Sequence, residues 1–205
     1  MTSSSLTLVL ASRSPRRLEL LRRIGIEPIV CPADIDESPF FNEVPIAYVS
    51  RVSKCKAETV ARQFVNETVL AADTTVELDG VIFGQPVDDS DARRMLRALS
   101  ANTHRVHTAI SVLHPGAVMR TVVVTSHITF AALNSDLIEW YVATGEPWGK
   151  AGAYAVQGAG GVLVKEVQGS LSNVVGLPLR EVADVLRLKG ARALISPVRS
   201  PRGGC

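Results

Sequence analysis

Six residues, Ser12-Arg13-Ser14-Pro15-Arg16-Arg17, join the apolar run Leu6 to Leu10 to a helical pattern, and their types suit an anion. Pro15 fits the first turn of a helix and Ser14 the cap before it, so unpaired backbone N–H groups would face the place where Arg16 and Arg17 supply charge. Helix N-termini bind phosphate for that reason, and Ser12 lies within the same loop. The plainer reading is a capped helix with solvated arginines. Two carboxylates stand out further on. Asp73 follows Val69-Leu70-Ala71-Ala72 and is expected at the end of a buried strand, where open α/β sheets place their ligands. There it can hold a metal or take a proton from water, or it can simply close a turn. Glu37 lies in the acidic loop Ala33 to Pro39 and is either solvated or the second ligand of one cation site, since Mg²⁺ takes one or two carboxylates plus phosphate oxygens. Lys56, beside the apolar positions Val49, Val52 and Val60, either snorkels outward or reaches a phosphate. Lys150 to Gly158 sets a lysine, a tyrosine and Gln157 among small residues, which allows close approach to a ligand.

The elements that must position these groups alternate between strand-like and helix-like, which predicts an α/β fold. Helix 1 begins at Pro15 and closes at Gly25. Pro28 to Cys31 reads as a short strand, and a second helix opens at Pro45 with Val49, Val52, Val60, Ala61 and Phe64 on its buried face. Asp79-Gly80 is a hairpin signal between Thr75–Leu78 and Val81–Phe83. Ala92, Met95, Leu96 and Leu99 mark a third helix. From His104 to Phe130 the period is two around a Pro115-Gly116 turn, which predicts a long antiparallel pair. Asn134 or Ser135 caps a fourth helix that Gly145 closes. A glycine-rich stretch over 145–161, a strand Val162 to Val167 and a last helix from Pro178 to about Leu188 follow. Residues 1–195 read as one domain, and 196–205 as a mobile Pro/Gly/Ser/Arg tail.

Composition limits the alternatives. Twenty-two basic against 20 acidic residues give a formal charge of +2, which argues against wholesale nucleic-acid binding. Any anion site is therefore local. Cys31, Cys55 and Cys205 form no CxxC pair and suggest no disulfide framework or zinc site, so a reducing cytoplasm is expected. The start Met-Thr-Ser-Ser-Ser leads into too short an apolar run for a signal segment, and no later run has the length of a membrane span. His104 and His107 fall on opposite faces of a predicted strand, and His114 and His127 stand alone, so all four histidines are expected to be structural or exposed. No GxSxG elbow, phosphate-binding GxxxxGK[ST] loop or dinucleotide fingerprint occurs.

Taken together, the motifs resemble the Maf family of nucleoside triphosphate pyrophosphatases from about residue 6 to 188. The carriers are Leu10-Ala-Ser-Arg-Ser-Pro-Arg-Arg17 with Glu19-Leu-Leu21, Lys56-Ala57, Ala72-Asp-Thr-Thr-Val76 and Asp79-Gly80. Further on stand His104-Arg-Val106 with Thr108, Gly145-Glu-Pro147, Lys150-Ala-Gly-Ala-Tyr154, Gln157-Gly158 and Asn173-Val-Val-Gly-Leu-Pro178. The resemblance implies an elongated two-lobed mixed sheet with flanking helices, like the inosine triphosphatases, with the active-site cleft between the lobes, and commonly a homodimer. It implies hydrolysis of a nucleoside triphosphate to the monophosphate and pyrophosphate without nucleic acid or membrane as a partner. Asp73, Glu37 and Lys56 match catalytic positions, with Mg²⁺ or Mn²⁺ on Asp73 and Glu37. Ser12, Arg16, Arg17, Thr74, Gln85, Lys150 and Gln157 are the expected substrate-binding residues. Arg16, Thr74 and Gln157 match positions tied to base selectivity and look like the dTTP- and UTP-acting branch. The direct base is left open between Asp73, Glu37 and a metal-bound hydroxide. One departure stands out: the family usually has lysine where this chain reads Gly84-Gln85-Pro86, which removes a cation from the phosphate site. A weakly active or non-catalytic nucleotide-binding regulator of cell division is the alternative that this glutamine supports.

Overall fold

A computed structural model describes residues 7–187. The expected tail 196–205, Cys205, Leu6 and the far end of the last helix lie outside the described residues. A seven-stranded mixed sheet runs through the molecule in the order β2-β1-β3-β5-β6-β7, with β4 attached to β3. Its strands are β1 (Leu8–Ala11), β2 (Ile29–Val30), β3 (Thr68–Leu78), β4 (Val81–Phe83), β5 (Thr103–Leu113), β6 (Arg120–Phe130) and β7 (Val164–Gln168). β2, β1 and β3 are parallel, and the remaining pairs are antiparallel. The helices are α1 (Pro15–Arg23), α2 (Pro45–Ala61), α3 (Asp89–Leu99), α4 (Ser135–Ala143), α5 (Leu171–Val175) and α6 (Leu179–Arg187).

The local signals act as the residue types dictate. Pro15 and Pro45 stand in the first turns of α1 and α2, where a missing N–H costs nothing. Asp88 caps α3 by accepting the Asp91 N–H at 2.7 Å, and Asn134, not Ser135, caps α4 by accepting the Leu137 N–H at 2.8 Å. Ser14 occupies the cap position of α1, but its side chain makes no capping bond. Ser12 Oγ instead accepts the Ser14 N–H at 3.2 Å.

Two halves of the sheet carry separate cores. Around β1 and the upper parts of β3 and β5, Leu10, Leu21, Leu70, Ile110 and Leu186 pack on one face, and Val9, Ala57, Val60 and Val69 pack beneath α2 on the other. At the opposite end Val76, Phe83, Leu96, Val106, Phe130, Tyr141 and Leu163 form the second core. β3 and β5 belong to both.

Three expectations are corrected. β3 does not end at Asp73 but continues to Leu78, because β5 pairs with it from Val69 to Glu77 and supplies hydrogen bonds past the acidic residue. The strand expected at Val162 starts at Val164, since Ala159–Leu163 winds as a 3₁₀ turn on its glycines. The short helix α5 was not foreseen; five residues are too few to display a period.

Candidate active site

The site lies where the neighbours of β3 change. On one edge, β1 pairs with Thr68 to Ala71 and β4 with Val76 to Leu78, so Ala72 to Thr75 have no strand partner on that side. A cavity of about 480 Å³ opens there, and its walls come from the α1 loop, the Glu37 segment, α2, β3, the Gly84-Gln85 turn and residues 149–157 and 174–176. Such volumes suit small-molecule ligands.

Strand alternation sends adjacent residues of this gap to opposite faces. Asp73 points with Val69 and Ala71 toward α2, where Lys56 meets it: Nζ donates to Asp73 Oδ1 at 2.9 Å and to Glu37 Oε2 at 2.6 Å. Lys56 is 7% and Asp73 5% exposed. Lys56 therefore does not snorkel outward, because two carboxylates supply what water would otherwise provide. Asp73 Oδ2 is buried with no hydrogen-bond partner. Burial raises the proton affinity of this carboxyl against the lowering fields of Lys56 and Arg17. A buried acceptor in this state is suited to hold a cation or to receive a proton.

Thr74 points to the other face, toward α1. Arg17 is buried there and donates through Nη2 to Thr74 Oγ1 at 3.1 Å, through Nη1 to Ser12 Oγ at 3.0 Å and through Nε to the Gly176 carbonyl at 2.9 Å. Its guanidinium thus ties three walls of the cavity together. The plain picture of solvated arginines holds for neither residue, since Arg16 is half-buried on the cavity wall. Burial lowers the proton affinity of Arg16, Arg17 and Lys150, with the neighbouring Arg16 adding to the effect at Lys150. Under-solvated cations of this kind gain from an incoming anion. The N–H groups of Arg16 and Arg17, in the first turn of α1, have no intrahelical acceptor.

Every residue expected at the site lines this one cavity: Ser12, Arg16, Arg17, Glu37, Lys56, Asp73, Thr74, Gln85, Lys150 and Gln157. Gln85 and Gln157 are exposed at its rim, and Lys150 donates to the Trp148 carbonyl at 2.8 Å. Glu37 is held by contacts beside it: Arg51 of α2 pairs with Glu43 through two 2.7 Å bonds, donates to the Ser38 carbonyl at 3.0 Å and stacks on Phe40. The helix that presents Lys56 thereby also fixes the Glu37 segment.

Tyr48 was missed. It lines the cavity, and burial followed by the fields of Asp73 and Glu37 pushes its phenol above its ordinary pKa, so it stays neutral. Its spacing from Val52 and Lys56, i, i+4 and i+8 on one helix face, was the available signal. The histidines are structural where buried: His104 Nε2 lies 2.8 Å from the Tyr154 hydroxyl and His107 Nδ1 2.8 Å from Thr125 Oγ1. Among the described residues, no group of three or more His, Cys, Asp or Glu side chains forms a metal cage.

The family model described as "Maf-like protein" matches residues 7–189. A dTTP/UTP pyrophosphatase of Anaeromyxobacter dehalogenans (strain 2CP-1 / ATCC BAA-258) is 51% identical over 186 residues, covering 89% of this chain and 94% of the relative. One from Myxococcus xanthus (strain DK1622) is 48% identical over 190 residues, covering 93% and 96%. Two solved structures are more distant. A nucleoside-triphosphatase / dITP/XTP pyrophosphatase from Mycobacterium abscessus is 14% identical at a TM-score of 0.45, covering 89% of this chain and 94% of that one. The Staphylococcus aureus Ham1 protein is 18% identical at 0.46, covering 61% and 72%.

Proposed function

The chain belongs to the Maf-like protein family, and on that premise we propose that it hydrolyses nucleoside triphosphates to the monophosphate and pyrophosphate, with dTTP and UTP preferred. The observation that carries this reading is the buried Asp73 carboxylate, held at one oxygen by Lys56 and free at the other, in a cavity also lined by Arg16, Arg17 and Lys150.

In this reading the triphosphate lies along the cationic wall, where Arg16, Arg17, Lys150 and the first-turn N–H groups of α1 neutralise charge that grows on the phosphate oxygens. A water beside Asp73 attacks the α-phosphorus; its proton would go to Asp73 with the metal on Glu37, a transfer that the raised proton affinity of Asp73 favours, and to Glu37 with the metal on Asp73 Oδ2. Lys56 fixes Asp73 Oδ1 and Glu37 in one orientation. Glu37 and Asp73 would hold a Mg²⁺ or Mn²⁺, which the unpartnered Asp73 Oδ2 fits, and the ion supplies Lewis acidity toward the phosphate oxygens when bound. Gln157, Thr74 and Arg16 face the base. A homodimer in the cytoplasm, acting without nucleic acid or membrane, completes the proposal; among the described residues no helix is long and apolar enough to cross a membrane.

Hydrolysis of dTTP in ¹⁸O-labelled water tests the reaction. Label in the monophosphate supports attack at the α-phosphorus. Orthophosphate with a nucleoside diphosphate would instead identify a phosphatase of the outer phosphate. Absence of turnover with every nucleotide would leave a binding protein.

A further inference from the structure

Gln157 is exposed at the cavity rim, on a chain segment with no strand or helix of its own. What holds it lies outside the cavity. Tyr141, fully buried on α4, accepts the Ala155 N–H on its hydroxyl oxygen at 3.1 Å and donates to Glu146 Oε2 at 2.9 Å. The Glu146 carboxylate accepts the Gly160 N–H on Oε2 at 2.7 Å and the Ala159 N–H on Oε1 at 3.1 Å. One phenol and one carboxylate therefore grip both ends of the segment 155–160, and Val156 and Gln157 project into the cavity between the grips.

Two glycines lie against this grip. Gly158 has φ of 126°, and a Cβ there would overlap Glu146 Oε1. A Cβ on Gly160 would overlap the Ala155 carbonyl oxygen and lie 2.8 Å from the Tyr141 hydroxyl. The backbone thus carries only alanine or glycine at the places where the carboxylate and phenol touch it. Glu146 is itself anchored, since its N–H donates to Thr144 Oγ1 at 3.1 Å and that hydroxyl donates to the Tyr141 carbonyl at 2.6 Å. Neither Tyr141 nor Glu146 lines the cavity.

We infer that Tyr141 and Glu146 are positioning residues that hold Gln157 in register with the nucleobase, and so set base selectivity without touching substrate. The inference rests on the reading above that Gln157 faces the base.

The test measures kcat and KM for dTTP, UTP, ATP and GTP with one metal in wild type, Tyr141→Phe, Glu146→Gln, Gln157→Ala and the Tyr141→Phe/Gln157→Ala double variant. Tyr141→Phe is the primary variant, because it keeps the buried ring and changes no charge, whereas Glu146 also acts electrostatically on Lys150. Loss of the hydroxyl removes its bonds with the Ala155 N–H and the Glu146 carboxylate, and predicts a rise of at least about fivefold in KM for dTTP and UTP, with kcat within about twofold and a smaller change for the purines. The double variant should be no worse than Gln157→Ala, since both changes act through one side chain. Equal losses for all four nucleotides, or additive effects in the double variant, would reveal only a general structural role and overturn the inference. So would a Gln157→Ala variant that loses selectivity while Tyr141→Phe and Glu146→Gln keep it. A Gln157→Ala variant with wild-type selectivity would overturn the base-facing reading of Gln157, and the inference with it.

Discussion

At the scale of the residue, Asp73 is a carboxylate placed against its own electrostatic preference. Burial raises its proton affinity, so the folded state binds a proton at Asp73 more tightly than the unfolded state, and its charge costs stability once the pH exceeds the raised value. Asp73→Asn removes that charge while leaving Lys56 paired with Glu37. The expected outcome is a fall in kcat of about 10² to 10⁴, typical of a lost acid–base group, with a melting temperature at neutral pH equal to or above wild type. Turnover near wild type would exclude Asp73 from the reaction, and a large drop in melting temperature would make it a structural partner of Lys56. Gln85 is the complementary case, a neutral amide at the cavity rim. Gln85→Lys adds a charge at the rim of the cavity in which the proposed reading seats the phosphates. It should raise kcat/KM about tenfold, as a charge-assisted hydrogen bond exceeds a neutral one, and make the rate more sensitive to salt. Steady-state kinetics at low and high ionic strength will show whether the site has instead reorganised around glutamine.

At the scale of the element, β5 joins the site to the second core through His104, which meets Tyr154 at 2.8 Å and stacks edge-on against Phe130 and Tyr154. Burial lowers the His104 pKa from 6.5 to about 4. Above the unfolded value both states are neutral and the contribution is fully present. As the pH falls from 6.5 toward 4 the unfolded chain takes up a proton that the folded chain refuses, and stability is lost at up to about 1.4 kcal/mol per pH unit. Urea unfolding at about pH 7.5 and about pH 5 should therefore show a steeper loss in wild type than in His104→Gln. Identical slopes would mean that His104 is protonated in the fold. The elements themselves were largely legible. Pro15, Pro45 and the period-two run into Phe130 act through neighbours in the chain, and each produced the expected helix start or strand. β3 was misjudged at Asp73, because whether a strand continues past a carboxylate depends on β5, whose Ala109, the partner of Asp73, lies 36 residues further along the chain.

At the scale of the whole molecule, the cleft is a gap between two cores that share β3 and β5. It is preformed by packing, and among the described residues no cage of three metal-ligating side chains holds it together. Removal of divalent ions by a chelator should therefore abolish turnover while shifting the melting temperature by less than about 5 °C, because a weakly held ion stabilises the fold only by mass action. A larger shift would mean a structural metal, and full activity in chelator would remove the metal from the proposal.

Residue types and their order were enough to determine the α/β class, because capping and periodicity are local properties, and together with the family resemblance they named a candidate set from Ser12 to Gln157 that lines one cavity. Only the tertiary structure decided that Lys56 turns inward between Asp73 and Glu37, that Arg17 ties Ser12, Thr74 and Gly176 together, and that Tyr141 and Glu146 grip the Gln157 segment. Each of these depends on a partner more than a helical turn away in the chain. A lysine that can snorkel and a lysine that must pair look the same in sequence; the packing of α2 over β3 removes the water and leaves the carboxylates as the available partners.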